Sequence, residues 1–183
     1  MRSHRIVRIA TTAALLLAAP AGALAEEKHG NDHEKRELGA HEHGAATLQV
    51  AVEGDTIEMM LEVPGENIVG FEHAAETDEQ KAAVEAQKET LGDPLALFVV
   101  PDGAGCDVAS AEVELHQEGD HNAFEAAYAL RCADPAAVTA IETRLFELYP
   151  SLEEIEVEYA TPAGQGAGEL EPGAASLALP TTS

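Results

Sequence analysis

The sequence predicts an α+β fold: a single domain of mostly antiparallel β-strands, β-sandwich-like, with two helices and one disulfide. Segments in which apolar and polar residues alternate recur along the chain, and two pairs of them are joined by turns. Two other segments carry helix start and stop signals, and the chain has two cysteines. Because strands joined by hairpin turns run antiparallel, this mixture is typical of an α+β domain.

The first 25 residues are predicted to be a cleavable signal peptide. Arg2, Arg5 and Arg8 precede an apolar run from Ile9 to Ala19, and small residues follow up to Ala25. This order is typical of export signals, and the apolar run is shorter than the roughly 20 residues that a membrane-spanning helix needs. We therefore expect cleavage after Ala25 and a soluble, exported mature protein.

The remaining chain divides into an arm and a domain. Residues 26–44 are almost wholly polar around a single leucine, Leu38, so they cannot bury a core and are predicted to be a flexible arm rich in histidine and acid. Apolar alternation begins near Thr47, and residues 45–183 are predicted to form a single α+β metal-binding domain.

The first elements of the domain have clear signals. Residues 48–52 and 57–63 alternate on either side of Gly54-Asp55, which predicts a two-residue β-hairpin. Thr77 with Gln80 forms a capping box, and Gly92 followed by Asp93-Pro94 provides a stop, so residues 78–91 are predicted to be a helix. The short apolar run at residues 95–100 predicts a buried strand.

The second half of the domain repeats these patterns. Residues 111–115 and 124–132 predict a second hairpin with residues 117–122 as its loop. Asp134 and Pro135 then open a segment with apolar residues at helical spacing up to Pro150, which predicts the second helix. A sixth strand is predicted at residues 155–159. Three glycines at 164, 166 and 168 predict a bend before a weak last segment around Leu177 and Leu179.

The two cysteines, Cys106 and Cys132, are predicted to form a structural disulfide. An even pair in an exported chain favours a disulfide, whereas a redox or metal site normally shows a C-x-x-C spacing and these residues are 26 positions apart. Closing a loop of this size stabilises a fold by roughly 3 to 4 kcal/mol in the chain-entropy model.

Composition limits the classes of partner. The chain has 34 acidic and 10 basic residues and a formal net charge of −24, so nucleic acid would be repelled. Such an excess attracts cations in general, but it is also explained by the solubility of an exported surface in salty surroundings.

The histidines indicate a transition-metal site. Zinc, copper and nickel accept imidazole nitrogen and carboxylate oxygen, whereas calcium and magnesium prefer oxygen alone. His41 and His43 precede the first strand, and in an extended conformation their side chains project to the same side, about 6.5 to 7 Å apart at the backbone. The antiparallel second strand returns the chain toward them, which puts His73 within reach. The remaining candidate, His121, lies in the second hairpin loop.

Weaker candidates surround this set, and each has an ordinary structural explanation. His73 alone could be a capping or partly buried residue, and His116 shares the solvent side of its strand with Glu112 and Glu114. His29 and His33 in the arm are best interpreted as adaptable ligands that raise the local metal concentration. The four weaker candidates are His29, His33, His116 and Asp120.

Enzymatic chemistry has little support. His33-Glu34 begins like a metalloprotease helix, but Glu37 stands where the motif needs its second histidine. The glycines at 164, 166 and 168 are not followed by a capped helix, as a phosphate loop would be, and no serine lies in a nucleophile-elbow pattern.

Several segments together resemble a known family. They are His41-Glu42-His43-Gly44, Asn67 to His73, Gly105-Cys106, His121 to Phe124 with Tyr128 and Cys132, and Phe146 with Tyr149-Pro150. This set resembles the zinc-regulated periplasmic zinc-binding proteins typified by ZrgA, over about residues 40 to 179. The most specific piece is Gly70-Phe71-Glu72-His73.

The resemblance implies a periplasmic protein that is made under zinc limitation, supports uptake by an ABC transporter and has no catalytic activity. By resemblance, its zinc ligands match His41, His43, His73 and His121. Members of this family carry a longer insertion rich in His, Asp and Glu just before the last of these positions. Here only His116, Glu118, Asp120 and His121 stand in that place, which puts a high zinc capacity in doubt.

Two alternatives remain open from the sequence. The first is an exported interaction or adaptor module, held by its disulfide, whose histidines are not a physiological metal site. The second keeps metal binding but assigns nickel or copper in place of zinc.

Overall fold

The structure is a computed structural model, and it describes residues 44–180. The predicted signal peptide, residues 1–25, and the predicted arm up to residue 43 lie outside this range. Between Gly44 and Pro180, none of the helices has the length and apolar character needed to cross a membrane.

The described residues contain eight strands and four α-helices, only one of which is long. The strands are β1 (Ala45–Glu53), β2 (Thr56–Pro64), β3 (Cys106–Glu118), β4 (His121–Cys132), β5 (Ala140–Glu142), β6 (Glu154–Thr161), β7 (Gly164–Leu170) and β8 (Ser176–Ala178). The helices are α1 (Gly65–Val69), α2 (Asp78–Leu91), α3 (Pro94–Leu97) and α4 (Leu145–Leu148). Short 3₁₀ turns lie at Asp102–Ala104 and Pro135–Ala137.

Six strands form the main sheet in the order β3-β4-β2-β1-β6-β7, and β5 pairs with β8 in a separate two-stranded sheet. Both predicted hairpins are confirmed, as the pairs β1–β2 and β3–β4. Within the main sheet, β1 and β6 pair in parallel and the other neighbours pair antiparallel. The predicted fold class, an α+β domain of mostly antiparallel strands, is therefore confirmed.

The core lies against one face of the main sheet. Leu48, Leu61 and Val157 alternate with exposed or partly exposed residues and are fully buried, because side chains along a strand point to opposite faces. Phe124 on β4 is fully buried on the same face. The second layer is built from α2, the short helices and the β5–β8 pair, whose buried residues include Val84, Leu91, Ile141 and Leu145. The opposite face of the sheet, called here the outward face, is open.

The long helix α2 is confirmed at residues 78–91, with its capping box. The Thr77 hydroxyl accepts from the Gln80 amide, and the Gln80 side chain accepts from the Thr77 amide at 3.1 Å. At the other end, the Tyr128 hydroxyl donates to the Leu91 carbonyl at 2.8 Å. Burial raises the pKa of this hydroxyl, so it stays a donor that holds α2 against the sheet.

The predicted helix between Asp134 and Pro150 is wrong. The segment forms a 3₁₀ turn, the strand β5 and the four-residue helix α4. Thr143 interrupts the helical path, since its hydroxyl accepts from the Leu145 amide while β5 pairs with the distant β8. The apolar spacing fitted a helix, but Leu148 is 47% exposed and only part of the predicted apolar face is buried.

The predicted strand at residues 95–100 is also wrong. Asp93 accepts a hydrogen bond from the Ala96 amide and caps α3, with Pro94 at the first helical position. The Asp93-Pro94 pair therefore starts a new helix as well as following the previous one. Only Phe98 keeps a strand-like contact, an isolated bridge to Thr143.

The predicted glycine-rich bend is the strand β7. A Cβ atom added at Gly166 would lie 2.5 Å from the Tyr159 hydroxyl, and one added at Gly168 would lie 2.7 Å from the Leu177 side chain. These glycines leave room for large side chains packed over the strand, which is why the segment lacks the β-branched residues typical of strands.

The disulfide Cys106–Cys132 is confirmed. The two cysteines face each other in the β3–β4 register, so the bond ties the start of the edge strand β3 to the end of β4.

Replacing both cysteines, Cys106→Ala with Cys132→Ala, is expected to lower the free energy of unfolding by about 3 to 4 kcal/mol, because the unfolded chain is no longer constrained. Urea unfolding of the oxidised protein and of the variant measures this difference. The control is the unaltered protein treated with reductant, whose unfolding midpoint should approach that of the variant. Equal unfolding midpoints for all three samples would contradict the prediction.

Candidate metal centre

One end of the main sheet collects segments that are far apart in sequence. β1 and β4 begin there, and β2, which lies between them, ends there. Pro64 at the end of β2 pairs with Ala123, two residues after His121. The chain then continues from Pro64 through α1 to Gly70, whose φ of 78° ends the helix in the left-handed conformation, and into the segment Phe71–His73.

His121 is held by Glu72. Its Nδ1 atom lies 2.8 Å from Oε2 of Glu72, and the two side chains are half to two-thirds buried, with 50% and 36% exposure. This contact joins the first residue of β4 to the loop after α1, across 49 positions of sequence.

His73 is held on the same loop. Its Nδ1 atom lies 2.9 Å from the Ala74 carbonyl oxygen, and its ring stacks on Phe71 with centroids 5.2 Å apart and planes inclined by 26°. Phe71 packs against the core, so the stacking contact holds the His73 ring in a fixed position relative to the core.

These two contacts determine which ring nitrogen is available. A carbonyl and a carboxylate oxygen accept hydrogen bonds, so Nδ1 of His73 and of His121 carries the hydrogen in the neutral ring. The Nε2 atom then keeps its lone pair, which is the form that binds a metal ion. A histidine that donates its other N–H to a carboxylate or a backbone carbonyl has the usual outer-shell arrangement of a metal ligand.

The loop and β4 are also joined through Asn122, which follows His121. Its side-chain nitrogen donates to the His73 carbonyl at 2.7 Å. His73 and His121 are therefore linked twice, through Glu72 to the His121 ring and through Asn122 to the His73 backbone.

The first described residue, Gly44, is fixed at the same end of the sheet. Its carbonyl accepts from the amides of Glu153 and Glu154 at 2.7 and 3.0 Å, and its amide donates to Oδ1 of Asn67 at 3.3 Å. Gly44 has a φ of 89°, which favours glycine at this entry to β1.

The structure thus brings two of the four predicted principal ligands, His73 and His121, to one end of the sheet. The other two, His41 and His43, lie outside the described residues, as do the weaker candidates His29 and His33. Across residues 44–180, the His, Cys, Asp and Glu side chains do not form a group of three or more that could hold a metal ion.

The other weaker candidates lie nearby but make different contacts. Nε2 of His116 lies 3.3 Å from a carboxylate oxygen of Glu114 and 3.1 Å from one of Glu125. These contacts lie on the outward face, as the strand pattern of His116 predicted. Asp120 lies in the exposed two-residue turn between β3 and β4.

Sequence analysis missed Glu72, Asn67 and Asn122 as functional candidates. Glu72 has a local signal, since it precedes a predicted ligand and is a typical acceptor for an imidazole N–H. The two asparagines have no such signal, because their roles depend on burial and on contacts 23 to 84 residues away in sequence.

The outward face carries a row of carboxylates one to four residues along the strands from this end. The register of five strand pairs aligns, from β3 to β7, Glu114, Glu125, Glu62, Thr47, Glu156 and Glu169. We call this set the acid row. Carboxylates in neighbouring strands raise the local concentration of cations beside the candidate metal centre.

A protein-family model matches most of the chain. The model of the ZrgA family zinc uptake protein matches residues 40–179, more than half of the chain. This range includes all four histidines predicted as principal ligands. No curated protein matches the chain.

In the zinc-free protein, at a pH where histidine is neutral, His73 and His121 are expected to carry their hydrogen on Nδ1. His116 is expected to carry it on Nε2, which faces Glu114 and Glu125. Long-range ¹H–¹⁵N spectra distinguish these tautomers. Glu72→Ala should release His121 from its tautomer and leave His73 unchanged. A hydrogen on Nε2 of His121 in the unaltered protein would show that the assignment is wrong.

Proposed function

The chain belongs to the ZrgA family of zinc uptake proteins, and from this membership we propose that it binds zinc in the periplasm and buffers or delivers it for uptake by an ABC transporter. Its role is binding, without catalysis. Zinc is its cargo, and the principal ligands are His41, His43, His73 and His121.

The observation that carries this proposal is the orientation of two histidine rings. Nδ1 of His73 and of His121 each contacts an oxygen acceptor, which leaves both Nε2 atoms as lone-pair donors. Both side chains are exposed enough to be reached from solvent. Two such rings on adjoining segments supply half of a tetrahedral zinc site.

The arm supplies the remaining ligands. Chain connectivity keeps His43 one residue, about 3.8 Å between Cα atoms, from Gly44, which is anchored at the start of β1. Because neighbouring strands lie about 4.8 Å apart, β1 and β4 are separated by about 10 Å across β2. We propose that imidazole side chains from the residues before β1 and from the start of β4 share one metal ion across this distance.

The exposure of the site suits a protein that must also release its cargo. His73 lies in a loop and His121 is half exposed, so a competing ligand can approach the metal. Metal binding by a closed, buried site is typical of structural zinc instead. The acid row would keep a supply of cations near the site without binding them tightly.

Three observations support a location in the periplasm. The family is one of zinc uptake, the predicted signal peptide directs export, and the disulfide is typical of an oxidising compartment such as the periplasm. An ABC transporter for zinc is the partner that a periplasmic uptake protein would serve.

His73→Ala and His121→Ala are each expected to weaken zinc binding by more than about 100-fold, since loss of an outer-shell partner alone costs about 10 to 100-fold. The double change His41→Ala with His43→Ala should have a similar effect. Competition titration of the chelator-stripped chain from residue 26 measures the affinity and the number of zinc ions bound.

His116→Ala is the matched control, because it removes an exposed histidine of the neighbouring strand that already faces two carboxylates. Its zinc affinity should equal that of the unaltered protein. If all the histidine variants bind zinc as tightly as the unaltered chain, the histidines are surface residues and an exported adaptor module becomes the better explanation.

Copper binds more tightly than zinc at most nitrogen sites, so affinity alone does not identify the physiological metal. The uptake role therefore needs a separate test in cells. Deleting the gene is expected to slow growth and lower cellular zinc under zinc limitation only. The unaltered gene should restore both, and the His73→Ala gene should not. Normal growth and normal zinc content in the deletion strain would refute the uptake role.

A further inference from the structure

The middle of the outward face carries small side chains where a solvent-facing sheet usually carries long polar ones. Beyond the acid row, the next two rows of outward-facing residues contain five alanines: Ala51, Ala127, Ala129, Ala160 and Ala167. Alanine is depleted in strands, since its methyl group covers little of the neighbouring strands. The stability of the sheet alone therefore does not explain these alanines.

The alanines form the floor of a trough that crosses the sheet. The trough has a volume of about 910 Å³, and its lining residues come from all six strands of the main sheet. Because neighbouring strands lie about 4.8 Å apart, the trough is about 24 Å long. Met60 of β2 lies near its middle and is 53% exposed. A large apolar side chain among alanines in an open trough is typical of a surface that binds a partner.

Carboxylates surround this apolar floor. Glu58, Glu112 and Glu158 line the trough, and the acid row borders it along one side. All three side chains are exposed. Within residues 44–180, none of these three carboxylates forms a salt bridge.

The basic residues of the described chain lie away from these carboxylates. Lys81 and Lys88 are in α2, and Arg144 directly precedes α4, so all three belong to the second layer on the other side of the sheet. Arg131 near the end of β4 is on the outward face, but it already pairs with Asp55 at 2.6 Å. The trough therefore combines an apolar floor with a strongly negative surrounding.

This combination selects one kind of partner. Nucleic acid, an anionic membrane and a second copy of this acidic chain all carry negative charge, so the trough repels them. An extended peptide on the face of a sheet would leave its backbone N–H and C=O groups unpaired, because the strands already pair with each other. A helix satisfies its own backbone groups, and about 16 helical residues span the length of the trough.

We propose that the trough is the docking site for a basic amphipathic helix of a partner protein. The apolar side of the helix packs on Met60 and the alanines, whose small side chains leave room for large ones from the partner. Its lysines and arginines face Glu58, Glu112 and Glu158. The trough does not include His73 or His121, so helix docking and zinc binding are separate properties.

The first test uses a synthetic helical peptide of about 18 residues, long enough to span the trough, with leucine along one side and lysine on the other. Fluorescence anisotropy measures its binding to the chain from residue 26. In two matched peptides, glutamate replaces lysine or glutamine replaces leucine. We expect only the leucine–lysine peptide to bind, and its affinity to fall as salt is added.

Ala127→Gln fills the floor of the trough without changing any charge. It is expected to weaken binding of the leucine–lysine peptide by more than about tenfold, as for a residue at the centre of an interface. Ala86→Gln is the matched control, since Ala86 is exposed on α2 in the second layer. The affinity of the control should equal that of the unaltered protein.

A second pair of variants separates docking from general attraction to an acidic protein. The triple change Glu58→Gln, Glu112→Gln and Glu158→Gln is expected to weaken peptide binding by about tenfold, because it removes the charges that face the lysines. The control removes three exposed carboxylates of α2 and changes the net charge equally: Glu79→Gln, Glu85→Gln and Glu89→Gln. Its effect on binding should be clearly smaller.

Methyl NMR locates the bound peptide without any substitution, so it does not depend on whether a variant folds. In protein labelled at the methyl groups of methionine and alanine, the signals of Met60, Ala127 and Ala167 should shift when the peptide is added. The signals of Ala82 and Ala86 on α2 should stay unchanged.

The proposal is overturned if the leucine–lysine peptide does not bind, if both triple variants lose affinity equally, or if the shifted methyl groups lie on α2. Sedimentation of the protein alone tests the second copy. A dimer that Met60→Gln dissociates would show that a second copy occupies the trough, which also overturns the proposal. Zinc titration tests the proposed function independently, since none of these variants changes His73 or His121.

Discussion

The central strand β2 pairs with β1 on one side and with β4 on the other, and these two pairings determine which segments meet at the sheet end. Thr47 pairs with Glu62, and Pro64 pairs with Ala123, so Gly44, Gly65 and Asn122 come to adjoining positions at one sheet end. A shift of one residue in either pairing would turn every core side chain of that strand to solvent. The apolar alternation that builds the core therefore also fixes where the segments that carry the candidate ligands His73 and His121 meet.

The two faces of the main sheet differ in polarity. The inner face is apolar and determines stability, whereas the outward face aligns five glutamates in the acid row. Like charges directly opposite each other weaken a sheet, as Glu114 and Glu125 would, and His116 lies between them within 3.3 Å of both. The strand register therefore collects five carboxylates on the side of the sheet that leads to the candidate metal centre, an arrangement that attracts cations.

The sequence was sufficient for elements whose signals are local. The alternation around Gly54-Asp55 and the capping box of Thr77 both predicted their elements, and the cysteine pair predicted its disulfide. Prediction failed where contacts distant in sequence determine the secondary structure. The strand β5 forms because it pairs with β8, and the glycines of β7 accommodate Tyr159 and Leu177. His73 and His121 were predicted by residue type and by resemblance, and the structure places them at one sheet end. Glu72 and the buried asparagines depend on tertiary contacts that no local pattern reveals.

The same contacts divide the proposed ligands into two kinds. His73 and His121 are held in place by hydrogen bonds, whereas His41 and His43 belong to the arm that is attached at Gly44. His73 and His121 are oriented before any metal arrives, so in the proposed site they lose little conformational entropy on binding. In the proposed site, the attachment of the arm at Gly44 would keep His41 and His43 at a high effective concentration beside the other two. Release of these tethered ligands would leave zinc on two exposed imidazoles, which hold it more weakly. In the proposed function, a site built this way would bind zinc tightly and still pass it on.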